Sequence, residues 1–235
     1  MKTVNVEDIL PLYLYEDDFL ISKNTDITAL YEVVLPEVWT MTQNEYEEQM
    51  NCWVRAMKSL PDFSILHKQD VFIEKKYHSK GNCSGYLAKG YASHFEGRLY
   101  YDHKTYLYVT LSCKENIKKD SISSCICSGN IVAKEMTDEK RLSDFANSLL
   151  EMKNILEGTG IKLRRLTEDE VVGTQEKFGL IEKCLNLDYS ESNTTLKEQH
   201  ILNDDTFMVG DNYVSCFAIS ELQNLPNTIA THSWN

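Results

Sequence analysis

The residues that could do chemistry lie in a glycine-rich stretch and in a pair of cysteines. Residues 81–90 are rich in glycine but lack the Gly-Lys-Ser/Thr ending that a phosphate-binding loop needs for its lysine and its magnesium-binding hydroxyl. Cys125 and Cys127 are separated by one residue, and no second Cys or His pair follows at zinc-finger spacing. We therefore expect no catalytic residue, no cofactor site and no metal site in this chain.

Nucleophilic catalysis needs a nucleophile, a base beside it and a group that orients the base. Cys83, His94 and Asp102 supply these residue types. Such a trio is common in chains of this length, and the sequence has no G-x-S-x-G nucleophile elbow to accompany it. A thiol or zinc enzyme stays as a third hypothesis, which a metal analysis would test.

The segment 93–110, SHFEGRLYYDHKTYLYVT, favours a surface that docks a partner. It joins histidine, arginine and aspartate to tyrosines that lead into a predicted strand, and Tyr and Arg are enriched where interfaces carry binding energy. The alternative is that the tyrosines pack on a sheet while Arg98 and Asp102 form a local ion pair. The candidate docking residues are His94, Phe95, Arg98, Tyr101, His103, Arg164 and Arg165.

The formal net charge of −12 comes from 24 Lys and Arg against 36 Asp and Glu. Such an excess repels nucleic acid, because DNA binding gains most of its affinity by neutralising phosphates. Basic clusters at 75–89 and 162–165 nevertheless have Tyr77, Tyr86 and Tyr91 nearby, which could stack on bases. Contact with nucleic acid is therefore the alternative to protein docking.

The location of the protein is suggested by three features. The chain begins with early acidic residues and without the apolar run of a signal peptide. No stretch approaches the roughly 18 apolar residues of a membrane span. Seven cysteines, an odd number, suit reduced thiols better than a disulfide framework. Together they predict a cytoplasmic protein.

Strands are predicted for much of the first hundred residues. The predicted strands are 19–22, 26–35, 63–77 and 105–111. A helix opens at a capping box formed by Thr42 and Glu45. Its predicted buried face holds Tyr46, Met50, Trp53, Val54 and Met57. Residues 78–92 are predicted to be a loop, as is most of the polar stretch 113–136.

The second half has stronger helix signals. Thr137 is predicted to cap a helix whose buried stripe is Leu142, Phe145, Leu149, Met152 and Leu156. A second capping box, Thr167 with Glu170, is predicted to open a helix that continues to about Leu185. The other predicted elements are a strand at 161–166, a hairpin turn at 207–213 and a strand at 213–219.

The predicted order β-β-α-β-β-α-β-α-β-β lacks the regular alternation of a parallel, doubly wound sheet. It favours an α+β fold with a mixed, mainly antiparallel sheet and helices packed on one side, in which ferredoxin-like pieces are one option. The chain is long enough for one domain or for two lobes, of about 1–135 and 136–235.

Short motifs follow one another along nearly the whole chain. They are Leu66-His-Lys-Gln-Asp-Val-Phe72, His94-Phe-x-x-Arg98, Tyr101-x-His103-x-x-Tyr106, Leu163-Arg-Arg-Leu-Thr-Glu-Asp-Glu170, Gly173-Thr174, Ile181-Glu-Lys183, Leu185-Asn-Leu187, Gly210-Asp-Asn212 and Leu225-Pro226. Together, in this order, they resemble matching segments of TraG-type proteins of conjugative transposons. Those proteins look like the motor ATPases of type IV secretion systems.

This resemblance implies that residues 1–235 are an N-terminal, non-motor region, because the P-loop ATPase domain of that family lies further downstream. ATP and magnesium are then expected only for that downstream domain. The implied partners are type IV secretion channel components and other copies of the same protein. The implied location is the cytoplasmic face of the inner membrane, to which the protein would be peripheral. The loops 78–92 and 114–129 depart from the family pattern.

Overall fold

The computed structural model describes residues 10–23, 26–79, 85–112, 139–189, 195–201 and 206–217. The chain forms two compact units, residues 1–173 and residues 174–235. The predicted loop at 113–136, with Cys125 and Cys127, lies outside the described residues, and so does Thr137.

The first unit is built on a six-stranded sheet whose hydrogen-bonded neighbours are all antiparallel. Its strands are β1 (Leu12–Glu16), β2 (Phe19–Ser22), β3 (Ile27–Val34), β4 (Ser64–Lys76), β5 (Leu99–Leu111) and β6 (Lys162–Arg165). Strand β3 is central, because β5 pairs along one of its edges while β2 and β6 share the other. Strand β4 pairs with β5 and lies at the end of the sheet order.

The helices of the first unit are α1 (Gln43–Lys58), α2 (Tyr86–Phe95), α3 (Glu139–Glu157) and α4 (Glu168–Val171), with a 3-10 turn at Val38–Thr40. Helices α1 and α3 pack on one face of the sheet, where alternate residues of β3 and β5 point. This core includes Ala29, Tyr31, Val33, Leu107, Val109, Cys52, Ala56, Phe145, Leu149, Met152 and Leu156. The predicted stripe of α3 is confirmed, with Leu142 packed at its margin.

Helix α1 begins where the sequence indicates, but only part of its predicted buried face packs against the core. Both halves of the Thr42–Glu45 capping box are formed. The residues that α1 buries are Gln49, Cys52 and Ala56. Of the predicted face, Trp53 packs against the core and Tyr46 is half-buried, whereas Met50, Val54 and Met57 are exposed. Small side chains allow α1 to approach α3 closely, and the Cys52 thiol donates to the Ile155 carbonyl, 2.9 Å away. The face that α1 buries is therefore set by its packing against α3 and not by the hydrophobicity of its own residues alone.

The second unit contains the helix α5 (Leu180–Asn186) and a three-stranded antiparallel sheet of β7 (Gln199–Ile201), β8 (Thr206–Val209) and β9 (Asn212–Ser215). Gly210 turns the β8–β9 hairpin with a positive φ of 58°. The predicted turn at 207–213 is thereby confirmed. The side-chain oxygen of Asn186 accepts from the Lys197 backbone N–H at 2.9 Å, which ties α5 to the segment that precedes β7.

The α+β fold with a mainly antiparallel sheet is confirmed. Helices α4 and α5 replace the single helix predicted from Thr167 to Leu185, because Gly173 adopts a φ of 94° that ends α4. The predicted lobes divide near residue 135, whereas the two units divide after residue 173. Helix α3 and strand β6 account for that difference. Helix α3 packs on the sheet of the first unit, and β6 pairs with β3 in that sheet, so both belong to the first unit. Within the described part of the chain, no helix is long and apolar enough to cross a membrane.

Candidate functional site: an exposed hairpin arm

Strands β4 and β5 form a hairpin of thirteen consecutive residue pairs, from Ser64 opposite Leu111 to Lys76 opposite Leu99. The half near Leu111 belongs to the buried core. In the other half, Phe72 and Tyr101 are each 60% exposed. The ladder therefore continues beyond the core as a projection. We call this projection the arm and define it as residues 70–79 and 85–104.

Backbone hydrogen bonds continue the ladder past the last residue pair of the two strands. The Tyr77 N–H donates to the Arg98 carbonyl at 2.8 Å, and the Gly97 N–H donates to the Tyr77 carbonyl at 2.9 Å. Gly97 has a φ of 74°, a conformation that glycine adopts without the steric cost of a Cβ atom. This turn directs the chain from α2 back into β5.

Helix α2 lies at the tip of the arm, although this segment was predicted to be a loop. Three aromatic rings hold it there: the Tyr77 and Tyr91 centroids are 6.4 Å apart, Tyr77 and Phe95 6.2 Å, and Tyr91 and Phe95 4.5 Å. The Arg98 guanidinium lies 5.6 Å from the Phe95 ring centroid, a cation–π distance. These contacts compensate for the poor helix propensity of Gly90.

A carboxylate fastens the end of β4 to the end of α2. Glu96 accepts from the Ser79 backbone N–H at 3.0 Å and contacts His78 Nδ1 at 2.8 Å. The backbone hydrogen bond from Ser79, with help from His78, holds the pKa of the Glu96 carboxyl below its usual value. The C-terminal half of α2 is therefore anchored to the hairpin, whereas the start of the helix is exposed.

A second polar cluster lies at the base of the arm, around Asp70. Its carboxylate accepts from Thr105 Oγ1 at 2.7 Å, contacts His103 Nε2 at 2.9 Å and pairs with Lys68. Burial raises the pKa of Asp70, but the hydrogen bonds from Lys68, Thr105 and His103 outweigh burial, so that the pKa is lowered overall. The His103 ring stacks on Phe72 with centroids 4.4 Å apart.

The ion pair predicted between Arg98 and Asp102 is replaced by a pair between strands. Asp102 bonds to Lys75 of β4, and this hydrogen bond lowers the pKa of its carboxyl. Arg98 lies instead over Phe95. The reason is geometric, because Lys75 and Asp102 are diagonal neighbours on the same face of the ladder.

The most exposed large side chains of the arm are at the start of α2, where Tyr86 is 92% and Leu87 84% exposed. The sequence stretch 70–104, which contains the arm, also differs in charge from the rest of the chain. Residues 70–104 contain six Lys and Arg against four Asp and Glu, which gives +2, while the remaining residues carry −14. Three of the six histidines also fall in this range. The arm therefore presents apolar groups in a weakly basic setting on an acidic protein.

Arg164 and Arg165 lie on β6, away from the candidate residues of the arm, and both bond within the first unit. Arg164 bonds to Glu32 of β3 and to Glu170 of α4 at 2.6 to 3.0 Å. Arg165 donates to the Tyr31 hydroxyl at 3.0 Å and lies 4.7 Å from the Phe19 ring centroid. These contacts give both arginines a role in holding β6.

One family model matches the start of the chain. A family model described as "Domain of unknown function, B. Theta Gene description (DUF3875)" matches residues 1–50. The chain is similar to that family from its start through β3 and into α1. The match stops before the arm. No curated protein matches this chain.

Five of the seven candidate docking residues thus come together on the arm: His94, Phe95, Arg98, Tyr101 and His103. Tyr86 and Leu87 were missed as docking candidates because their segment was predicted to be a loop. The four-residue spacing of Tyr91 and Phe95, which lets two rings meet on a helix, was the signal that could have revealed α2. Across the described ranges, no group of three or more His, Cys, Asp or Glu residues is arranged to hold a metal ion.

Proposed function

We propose that this chain is a non-catalytic docking domain of a TraG-type conjugation ATPase. In this proposal the arm binds an acidic surface of a type IV secretion channel protein at the cytoplasmic face of the inner membrane. The family assignment is supported by the collinear motifs of the sequence. The docking role is supported above all by the exposure of Tyr86 and Leu87 at the tip of a well-supported arm.

The tip suits docking because the backbone that carries its apolar groups is already helical before a partner arrives. Tyr86 and Leu87 belong to a helix that Tyr77, Tyr91 and Phe95 attach to the hairpin. Aromatic side chains on an ordered support lose little conformational entropy on binding, so more of the contact energy remains as affinity. Such residues are typical binding hot spots at the centre of an interface.

The charge distribution indicates an acidic protein partner. The +2 of residues 70–104 attracts an acidic surface, while the −14 of the other residues repels one that approaches elsewhere. Four carboxylates are interspersed with the basic residues of the arm, and Asp102 already neutralises Lys75. Aliphatic groups such as Leu87 and Leu99 are exposed beside them. This mixture is more typical of a protein interface than of a phosphate-binding surface.

Site-specific photo-crosslinking in donor cells tests the proposal. A benzophenone amino acid at position 86 should crosslink to one channel protein, whereas the same group at Tyr213, which is also well exposed, should not. Replacing Tyr86 and Leu87 by serine should lower conjugative transfer about 10-fold or more, as expected when a hot spot is removed. Tyr213→Ser is the matched control. Equal crosslinking at both positions, or ATP hydrolysis by the pure chain, would refute this proposal.

Nucleic-acid contact is a second candidate, which the positive charge and the exposed tyrosines of the arm favour. A basic surface with aromatic rings can bind single strands by neutralising phosphates and stacking on bases. Affinity for a labelled oligonucleotide should then fall steeply as salt concentration rises. Crosslinking of position 86 to DNA would support this second candidate, and an absence of binding at low salt would exclude it.

A further inference from the structure

Strand β4 carries a second, outer edge that the hairpin does not use. Within the described ranges, β5 is the strand that pairs with β4, and β4 ends the sheet order. The strand is thirteen residues long, and Ile65 and Phe72 are 53% and 60% exposed. A long edge strand with exposed apolar side chains is a template for pairing with another strand. We propose that its occupant is β4 of a second copy of this chain, in an antiparallel pairing centred on Gln69.

Symmetry limits the ways in which two copies of β4 can pair. A two-fold axis perpendicular to the sheet keeps corresponding residues on the same face, so some residue of β4 must lie opposite itself. Pairing centred on Lys68 places the two lysines opposite each other. Pairing centred on Asp70 places the two Asp70 carboxylates opposite each other. Like charges directly opposite are destabilising, so both of these registers are disfavoured.

The register centred on Gln69 places opposite charges across from each other and apolar side chains across from apolar side chains. It places Lys68 opposite Asp70 twice, once on each side of the axis. It also places Ile65 opposite Ile73, and Leu66 opposite Phe72, again twice each. The sequence of β4 is therefore self-complementary in this register.

The pairing uses both faces of the strand. Leu66, Lys68 and Phe72 lie on the face that carries the buried Leu107 and Val109 of β5, because each is directly opposite a residue of that face. Ile65 and Ile73 lie on the other face. The pairing would thus continue the sheet from one copy to the next. It uses the backbone edge of β4 and not the tip of α2, so it holds or fails independently of the proposed docking role.

Sedimentation of the full chain tests whether the dimer exists. The mass should rise with concentration from 27.1 kDa toward twice that value. Lys68→Glu places an acid opposite Asp70 and should weaken the dimer about 10-fold or more. Lys104→Glu, the same charge change on β5, should leave the dimer within about 3-fold of the wild type, since Lys104 is not on the edge strand. A chain that stays monomeric at every concentration would overturn the proposal.

A disulfide tests the register itself. Residues directly opposite in an antiparallel pair have Cα atoms about 4.5–5.5 Å apart, which suits a disulfide. Under mild oxidation, Gln69→Cys should therefore yield a covalent dimer. Lys76→Cys should not, because the two copies of residue 76 would be about 46 Å apart at roughly 3.3 Å per residue. Equal crosslinking of the two variants would overturn the register.

Two further results decide whether β4 pairs with a second copy. If Gln69→Cys fails to fold, the wild-type mass and the Lys68→Glu comparison still decide whether β4 mediates a dimer. Amide exchange of β4 distinguishes a second copy from a segment of the same chain as the occupant of the edge. Protection that grows with protein concentration supports the dimer. Protection that is equally strong in a dilute monomer assigns the edge to the same chain and overturns the proposal.

Discussion

Replacing Arg164 by methionine tests whether this arginine stabilises the fold. Methionine keeps an aliphatic stem of similar length but cannot donate hydrogen bonds. In the wild type, Arg164 Nε and one terminal nitrogen bond to Glu32 at 3.0 and 2.6 Å, while the other terminal nitrogen bonds to both oxygens of Glu170 at 2.9 and 2.8 Å. The substitution therefore removes the bonds from Arg164 to Glu32 of β3 and to Glu170 of α4 at once, while the backbone ladder between β6 and β3 remains.

The expected loss is moderate because the network is partly exposed. The side chain of Arg164 is 54% exposed, so each ion pair contributes at the level of a surface pair, about 0.2–1 kcal/mol. Several hydrogen bonds to one guanidinium raise this contribution, so that we expect the free energy of unfolding to fall by about 1–2 kcal/mol. For a unit of this size the melting temperature should fall by roughly 2–8 °C.

The pH dependence of this loss in the free energy of unfolding shows whether the Arg164–Glu170 interaction causes it. The hydrogen bond from Arg164 lowers the pKa of Glu170 below its ordinary value of 4.5. A carboxyl with a lowered pKa contributes stability that is present above its unfolded pKa and is lost as the pH falls through its folded pKa. The difference between wild type and Arg164→Met should therefore be complete at pH 7 and shrink below pH 4.5.

Chemical denaturation followed by circular dichroism at several pH values measures these differences. Lys162→Met is the matched control, because Lys162 is exposed on the same strand two residues earlier. The control should stay within about 0.5 kcal/mol of the wild type. The structural role would be refuted if the two variants unfolded alike at pH 7. It would also be refuted if the loss in Arg164→Met were unchanged at pH 3.

Two further substitutions test the core and the arm. Phe145→Ala empties a fully buried site and should cost about 3–5 kcal/mol in denaturant unfolding, whereas Leu150→Ala on the exposed side of α3 should cost far less. Equal costs would contradict the packing of α3. Gly97→Ala places a Cβ at a φ of 74° and should destabilise the arm by about 1 kcal/mol. Amide exchange should then quicken in residues 86–95 but not in α3, and no local change would contradict the turn described for Gly97.

The parts of the fold that sequence predicted well are those in which local signals agree with long-range packing. The capping boxes at Thr42 and Thr167 formed because each pairs residues three positions apart, a purely local geometry. The buried stripe of α3 was predictable because its apolar residues recur at helical spacing along a single face of the helix. Strand β3 was predictable by its alternation.

The failures occurred where distant residues decide the structure. The face of α1 depends on its closeness to α3, about a hundred residues later, and hydrophobicity alone predicted only Trp53 of the residues that pack on the core. Helix α2 depends on Tyr77, which lies outside it, and its glycines suggested a loop. The contacts of Arg164 depend on Glu32, which is 132 residues away in sequence. No local pattern indicates such a partner, so the sequence alone does not predict these contacts.

The pairing of β3 with β6 has a consequence for synthesis of the protein. Residues 31–34 of β3 pair with residues 162–165, and α3, which covers the same face, ends at Glu157. On the ribosome, the hairpin is finished at residue 111, while its cover is still some 50 residues from completion. At about 5–20 residues per second this interval lasts roughly 3–10 s. During that time α1 is already available to cover its part of the sheet, but the part that α3 covers is bare, and such a transient apolar surface is of the kind that chaperones bind.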